Sequence, residues 1–255
     1  MMKKNVLVLA SNYAFWAEEL QAPWDALKKA GHNVTLATYL GKKPLPIAMS
    51  MDPDFVDGYQ NVKVNTPETV ARTLELLSNG ELDNPKKISE VNMADYDALV
   101  MTGGPGTPLD ICNNPAVHRM ILHCVKNNKM VGAICYSVGA LAFTRDPENN
   151  YRSVIYGKKV TAHPRKWDFV DFDLTYDLLG ATPDNKGTDL MTPGFLIPLQ
   201  DIVEDAVGPN GKVLADDMAT PENPCVAVDW PFVTGLSVES SAEYGRQLVK
   251  ALEKN

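Results

Sequence analysis

Residues 5–39 read NVLVLASNYAFWAEELQAPWDALKKAGHNVTLATY, and this stretch predicts a strand, a helix and a second strand. The first strand, Asn5 to Ala10, is an almost continuous apolar run, as expected of a strand covered on both faces. Residues 18–30 then place apolar side chains on one helical face, and Gly31 ends the helix. That face consists of Leu20, Trp24 and Leu27. Because a strand–helix–strand unit is almost always parallel and right-handed, the chain is predicted to be an α/β protein.

A long interruption follows the first unit. Residues 41–95 carry loop-forming prolines and a single helix, which Thr66 caps and Gly80 ends. The apolar face predicted for this helix is Val70, Leu74 and Leu77. We interpret the stretch as an insertion that covers a sheet edge or roofs a site, and not as a separate domain.

The alternation of strands and helices resumes after the insertion. Strands are predicted at 97–102, 130–134, 154–162 and within 226–235, and helices from 115, at 137–143 and at 239–254. A second insertion is expected at about 182–224, where Gly, Pro, Asp and Asn are frequent. The whole chain, 1–255, is therefore predicted to form one flavodoxin-like α/β domain, a three-layer sandwich around a mostly parallel central sheet.

Composition excludes several classes of function. The chain has 255 residues and a net charge of −8 without any basic block, which argues against a nucleic-acid partner. It lacks an apolar run of membrane-spanning length, and its N-terminal apolar run is too short for a secretion signal. The four cysteines show no CxxC spacing, so we expect no metal and free thiols in the cytoplasm.

Cys135 stands where a predicted strand turns into a predicted helix. The stretch Met130 to Ile134 is apolar, and the small residues of SVGALA follow directly after Cys135 and Tyr136. This is the layout of a nucleophile elbow, in which helix N–H groups face the sulfur and lower the thiol pKa. The backbone N–H of Tyr136 would then be available to an oxyanion. The alternative interpretation is a buried structural cysteine, because free cysteines are among the most buried residues.

Two glycines follow another predicted strand. Gly103 and Gly104 in TGGPG would allow backbone amides to approach a ligand closely. The sequence matches neither a phosphate-binding P-loop nor a complete GxGxxG motif. We therefore expect no nucleotide cofactor.

His163 and Glu19 are the candidate partners of the cysteine. His163, in VTAHP, is the one histidine that follows Cys135 in the chain, although a lone loop histidine often has no role. His118 and His123 are five residues apart on one helix and make a poor metal pair. Glu19 borders the inward face of the first helix, whereas Glu18 is interpreted as an ordinary acid of the first turn.

Taken together, these motifs resemble the ThiJ/PfpI superfamily, which shares the class I glutamine-amidotransferase-like fold. The resemblance rests on four motifs in order along the chain: Glu19 four residues before Pro23, Gly103-Gly104, Ala133-Ile134-Cys135, and Val160 to Pro164. It implies that Cys135 is the nucleophile, that Glu19 shares a proton with the sulfur, and that His163 is the general acid and base. It also implies oxyanion or substrate binding by Gly103, Gly104 and Tyr136, and a homodimer.

Two departures from the family pattern limit which branches of the superfamily the sequence resembles. The heat-shock branch with strong glyoxalase III activity usually carries a histidine directly after the cysteine, and Tyr136 stands there in this chain. Glutamine amidotransferases carry a C-terminal His-x-Glu, and no histidine follows His163, which excludes glutamine hydrolysis of that type. The insertion at 41–95 nevertheless resembles that of the larger, heat-shock-like members.

The function expected from this resemblance is a cofactor-free, glyoxalase III-like lyase or hydrolase. Cys135 would add to a small 2-oxoaldehyde such as methylglyoxal, and a base would move a proton between two carbons to yield a hydroxy acid. One alternative is a hydrolase or hydratase of another small substrate, whose pocket Trp167, Phe169 and Phe172 could line. Another alternative is a redox-sensing or holding chaperone of the stress response, based on oxidation of the same thiol.

Overall fold

A computed structural model describes residues 3–58, 60–168, 195 and 197–254. The strands are β1 Asn5–Leu9, β2 Asn33–Thr38, β3 Lys86–Lys87, β4 Ala98–Met101, β5 Met130–Ile134, β6 Arg145–Asp146, β7 Arg152–Ser153, β8 Lys159–Thr161, β9 Lys212–Leu214, β10 Val226–Asp229 and β11 Phe232–Gly235. The helices are α1 Ala17–Lys29, α2 Pro67–Ser78, α3 Thr107–Asp110, α4 Pro115–Lys126, α5 Val138–Phe143, α6 Arg165–Asp168, α7 Leu199–Val207 and α8 Ser241–Lys254.

Seven of these strands form one sheet in the order β10-β11-β5-β4-β1-β2-β3. All neighbouring pairs are parallel except the edge pair of β10 and β11. Two short two-stranded sheets, β6-β7 and β8-β9, lie beside it. The mostly parallel sheet predicted from the sequence is therefore confirmed.

Alternating residues of β1 show that the sheet is buried on both faces. Val6 and Val8 belong to a buried cluster with apolar side chains of α1, α2 and α8. Leu7 and Leu9 belong to a second cluster with apolar side chains of α4, α5 and α7. A strand with both faces covered by helices has no solvated side, which explains its unbroken run of apolar residues. The three-layer α/β sandwich is confirmed.

The insertion over 41–95 contributes a sheet edge and a covering helix. Its strand β3 pairs in parallel with β2 at the edge of the main sheet, and α2 packs on α1. Thr66 caps α2 as predicted, because its side chain accepts a hydrogen bond from the N–H of Thr69. The helix was correctly predicted, although its orientation was not.

The buried face of α2 differs from the predicted one. Leu74 is exposed, and the buried residues are Thr69, Thr73 and Leu76. Leu77, one of the predicted residues, is partly buried and packs against the core cluster. The guanidinium of Arg72 hydrogen-bonds both carboxylate oxygens of Asp25 on α1 at 2.8 and 2.9 Å, a polar contact that apolar spacing does not predict.

The strand predicted at 154–162 is shorter than expected. Only Lys159–Thr161 is extended, and it pairs with β9 outside the main sheet. Gly157 has a φ of 75°, a left-handed conformation that interrupts an extended chain. Part of the second predicted insertion, 182–194 and 196, lies outside the described residues. From 197 onward, α7 packs its apolar side into the core.

Candidate active site

The candidate site lies where three parallel strands end. Met101 at the end of β4 pairs with Ala133 of β5, so the turn at Gly103 and Gly104 meets Cys135 in space. The loop after β1 joins them, because the N–H of Trp16 donates a hydrogen bond to the carbonyl of Gly103. Ligands of parallel α/β proteins bind at this carboxyl edge of the sheet.

Cys135 occupies a strained elbow. Its φ is 56°, a left-handed conformation that a non-glycine residue rarely adopts. Ser137 holds the turn in place, since its hydroxyl accepts from the N–H of Ile134 at 2.9 Å and donates to the carbonyl of Ile134 at 2.7 Å. A short 3₁₀ turn, Cys135–Ser137, then leads into α5. The predicted strand–turn–helix geometry is thus present, and it fixes the direction of the sulfur.

Backbone and hydroxyl donors converge on the sulfur. The N–H groups of Gly104 and Tyr136 hydrogen-bond to Cys135, and Ser237 Oγ lies 3.7 Å from Sγ. The two N–H groups are those that the sequence proposed as oxyanion donors. Gly103 has a different place: a Cβ there would lie only 2.6 Å from Cys135 Cβ and would also collide with Glu19 Oε2. The glycine provides the space in which these two side chains meet.

Glu19 lies beside the sulfur in a nearly water-free environment. It is 1% exposed and hydrogen-bonds to Cys135. Burial raises the pKa of the Glu19 carboxyl well above its ordinary value. Its Oε2 has no hydrogen-bond partner within the described part of the chain.

The prediction of an acidified thiol is wrong. The N–H groups of Gly104 and Tyr136 do lower the pKa of Cys135, but burial and the neighbouring Glu19 raise it by more. Cys135 is only 5% exposed, and desolvation disfavours the thiolate. Since both pKa values are raised, Cys135 and Glu19 together hold at least one proton at neutral pH.

His163 lines the same cavity as Cys135 and Glu19. It follows β8, and its Nδ1 lies 2.8 Å from Oδ1 of Asp168, although the angle falls outside hydrogen-bond geometry. Its ring is 4.9 Å from the ring of Tyr136 and 5.5 Å from that of Trp167, between centroids. The structure therefore brings together the three residues proposed as catalytic, from three distant parts of the sequence.

Asp168 was missed by the sequence analysis. Its side chain is 2% exposed, and its carboxylate accepts hydrogen bonds from the Tyr136 hydroxyl at 2.7 Å and the N–H of Leu199 at 3.0 Å. A carboxylate close to a candidate base commonly orients the imidazole and stabilises its charged form. The available signal was its position, five residues after His163 and across the one-turn helix α6.

The cavity has a volume of about 260 Å³. The insertion over 41–95 forms part of its wall with Ile47, Met49, Asp57, Gln60 and Val64. Trp167 lines it too, as one alternative proposed, whereas Phe169 and Phe172 lie outside the described residues. The insertion therefore contributes to the site that the strand ends create. In the part of the chain that the structure describes, no three His, Cys, Asp or Glu side chains are grouped to hold a metal ion.

Two further acids, Glu18 and Glu239, lie near Glu19, and Glu18 is partly buried. Burial and, to a smaller extent, the charge of Glu239 raise the pKa of Glu18 to about 7. Glu239 is 8% exposed, and its pKa is also raised by burial. Glu18 is thus more than the ordinary first-turn acid that the sequence suggested, because its charge interacts with those of Glu19 and Glu239.

This environment predicts a pH-dependent gain in stability for Glu18→Gln. The ordinary pKa of 4.5 in the unfolded chain rises to about 7 on folding, so between these values the folded state keeps a proton that the unfolded state has released. The free energy of unfolding of the wild-type protein therefore falls as the pH rises from 4.5 to about 7. Since glutamine remains neutral and Glu18 is partly exposed, we expect a gain of about 1–2 kcal/mol at roughly pH 8.

Urea unfolding at roughly pH 8 and pH 4.5 measures the effect, and little change is expected at the lower pH. Glu68→Gln, at an exposed position of α2, is the matched control. An equal gain at both pH values would contradict the assigned role of ionisation.

The remaining cysteines lie outside this arrangement. All four thiols are free; Cys112 and Cys124 are buried, and Cys225 is partly buried. Cys124 is part of the core on the apolar face of α4. None of the helices in the described ranges has the length and hydrophobicity needed to cross a membrane.

Comparisons with known proteins agree with this architecture. The family model described as ThiJ/PfpI family-like matches residues 10–173. Glyoxalase 3 of Candida albicans is 25% identical over 100% of both chains. Glutathione-independent glyoxalase hsp3102 of Schizosaccharomyces pombe is 24% identical over 98% of both.

Solved structures share the fold over nearly the whole chain. The crystal structure of glyoxalase III from Candida albicans matches with a TM-score of 0.68 at 21% identity, covering 99% of this chain and 98% of that one. The Rapid Encystment Protein 24 KDa of Francisella tularensis matches with a TM-score of 0.69 at 21% identity, covering 98% of this chain and 99% of that one. At these identities the structural likeness establishes the fold alone.

Proposed function

The chain belongs to the ThiJ/PfpI family, and from that premise we propose that it converts 2-oxoaldehydes such as methylglyoxal into 2-hydroxy acids without glutathione. The observation that carries the proposal is one cavity in which a cysteine, a buried carboxyl group and an imidazole meet. The names of the relatives from Candida albicans and Schizosaccharomyces pombe support the same reaction. Cys135 is the nucleophile in this proposal, and no cofactor is required.

The first step is addition of sulfur to the aldehyde carbon. A C–S bond forms between Cys135 and this carbon while the C=O π bond breaks, which produces an oxyanion. The N–H groups of Gly104 and Tyr136 stabilise that charge. Glu19 takes the thiol proton and delivers it to the oxygen, giving a hemithioacetal. The raised pKa of Glu19 suits this role, because the carboxyl can hold a proton at neutral pH.

The second step moves a proton between adjacent carbons. His163 removes the hydrogen from the carbon bonded to sulfur, the electron pair forms a C=C bond, and the neighbouring carbonyl oxygen takes the proton of the hemithioacetal hydroxyl, which gives an enediolate. The imidazolium then returns its proton to the neighbouring carbon while the oxygen on the sulfur-bearing carbon re-forms a C=O bond, which leaves a 2-hydroxyacyl thioester on Cys135. Asp168, 2.8 Å from Nδ1, stabilises the positive imidazolium between the two transfers.

Hydrolysis completes the cycle. Water attacks the thioester carbon, the C–S bond breaks, and the thiol recovers its proton as the hydroxy acid leaves. One molecule of water is consumed. The former aldehyde carbon is oxidised and the neighbouring carbon is reduced by the same two electrons, so the balance needs no external oxidant or reductant.

The reaction in deuterium oxide tests this sequence directly. With methylglyoxal and no glutathione, we expect lactate carrying deuterium at carbon 2, because the proton on His163 exchanges with solvent before it is returned. Proton NMR of the product measures both lactate formation and deuterium content. Lactate formed only at the buffer rate would contradict the proposed activity. Fully protonated lactate would indicate a direct hydride shift and would contradict the role of His163.

The arrangement around Cys135 favours catalysis over redox sensing, because Glu19 and His163 line the same cavity as the sulfur and can serve an acid–base reaction. Homodimer formation, a role in the stress response and a cytoplasmic location remain predictions.

A further inference from the structure

Tyr136 contributes two groups near Cys135: its backbone N–H hydrogen-bonds to the sulfur, and its side-chain hydroxyl reaches Asp168. Tyr136 follows Cys135 directly in the 3₁₀ turn, so its main chain is fixed relative to the sulfur. Its ring contacts the imidazole of His163 at 4.9 Å and the ring of Phe195 at 5.8 Å, between centroids. The side chain of Tyr136 therefore extends from the turn at Cys135 toward His163.

Tyr136 and His163 meet on a single carboxylate oxygen. The Tyr136 hydroxyl donates to Oδ1 of Asp168 at 2.7 Å, and Nδ1 of His163 lies 2.8 Å from the same atom. The other oxygen, Oδ2, accepts from the N–H of Leu199 at 3.0 Å. Because the His163 contact falls outside hydrogen-bond geometry, the tyrosine hydroxyl is the well-directed donor to Oδ1.

We propose that Tyr136 is a positioning residue whose hydroxyl holds Asp168, and through it His163, at a fixed place relative to Cys135. A carboxylate that is 2% exposed requires donors to both oxygens if it is to be held in one rotamer. The hydroxyl supplies the donor to Oδ1, and the ring contacts the imidazole of His163 at 4.9 Å between centroids. The side chain of Tyr136 thus connects the turn at Cys135 to Asp168 and His163.

This role explains why tyrosine follows the cysteine in this chain. A tyrosine at position 136 can contact the ring of His163, which follows β8, and can also reach the carboxylate of Asp168. His163 then supplies the imidazole for proton transfer, and Tyr136 connects the turn at Cys135 to Asp168 and His163. The inference rests on the proposed function only where it concerns turnover; the geometry of the three side chains is independent of the substrate.

Tyr136→Phe tests the proposal because it keeps the ring and removes the hydroxyl alone. With methylglyoxal we expect kcat to fall about tenfold while KM changes less than about twofold, as a hydrogen bond to a charged group is lost. In an Asp168→Ala background the same substitution should change kcat less than about twofold, because the hydroxyl then has nothing to hold. Tyr39→Phe, at an exposed tyrosine, is the control for loss of a hydroxyl.

Ring NMR signals of His163 in the substrate-free protein provide the readout that needs no turnover. His163→Gln assigns them, and Tyr136→Phe should shift them while Tyr39→Phe does not. Unchanged signals in Tyr136→Phe would overturn the proposal, even if Asp168→Ala fails to fold. Equal losses of kcat in both backgrounds would also overturn it, since the hydroxyl would then act on the substrate directly. If the wild-type protein forms no lactate but the signals shift, the proposed reaction is wrong and the positioning role stands.

Discussion

Replacing Cys135 by serine is expected to reduce kcat/KM for methylglyoxal by at least about a thousandfold, because a serine hydroxyl is a far weaker nucleophile than sulfur. The substitution keeps the size of the side chain and leaves the donors from Gly104 and Tyr136 in place. Catalysis that depends on a C–S bond cannot continue without the sulfur. Lactate formation measured by NMR, with the thermal unfolding midpoint recorded in parallel, separates loss of chemistry from loss of fold.

Cys225→Ser is the matched control for this variant. Cys225 is partly buried and belongs to the small cluster around Trp167 and Leu236. Its substitution should leave kcat/KM within about threefold of wild type, since it lies outside the proposed reaction. Retention of activity in Cys135→Ser would contradict covalent catalysis, and loss of activity in Cys225→Ser alone would place the nucleophile elsewhere.

Replacing His163 by glutamine is expected to lower kcat by about 10²–10⁴-fold, the usual range for removal of a general acid and base. Glutamine can still donate and accept hydrogen bonds beside Asp168, but it cannot carry a proton from one carbon to the next. Addition of sulfur to the aldehyde does not require the imidazole. The variant should therefore still form the hemithioacetal and fail to convert it, so kcat falls more than KM rises.

The control for this second variant is His118→Gln. His118 lies on α4, where its Nε2 contacts the carbonyl of Cys112 at 2.7 Å, and glutamine can retain a contact of that kind. We expect kcat within about threefold of wild type. A comparable loss of kcat in both histidine variants would show that the effect of His163→Gln is structural and would contradict its role in proton transfer.

Much of the fold could be predicted from the sequence because parallel sheets leave a strong apolar signal. The run that became β1 is buried on both faces, and the predicted face of α1, Leu20, Trp24 and Leu27, is buried as expected. The buried face of α2 could be predicted only in part from apolar spacing, since Thr69 and Thr73 are buried there and Arg72 pairs with Asp25 of α1. Such a contact joins residues that are distant in the sequence.

The assembly of the site could be predicted in part for a topological reason. The resemblance to the family implied a joint role for Gly103 and Cys135, and parallel strands place their carboxyl ends together, so the turn and the elbow lie at the same edge of the sheet. Asp168 follows no regular pattern, and its carboxylate becomes recognisable only when its distance to His163 is known. The charge state of the sulfur could not be predicted either, since it depends on the balance between two N–H donors and burial.

The covalent intermediate is the most direct test of the central claim, that Cys135 bonds to the substrate. His163→Gln protein is mixed with methylglyoxal labelled with carbon-13 at the aldehyde carbon, and the bound species is observed by carbon NMR without denaturing the protein. We predict a hemithioacetal signal in His163→Gln and in His163→Gln/Cys225→Ser, and no such signal in His163→Gln/Cys135→Ser. Absence of this signal from His163→Gln, when the wild-type protein produces lactate, would contradict the account.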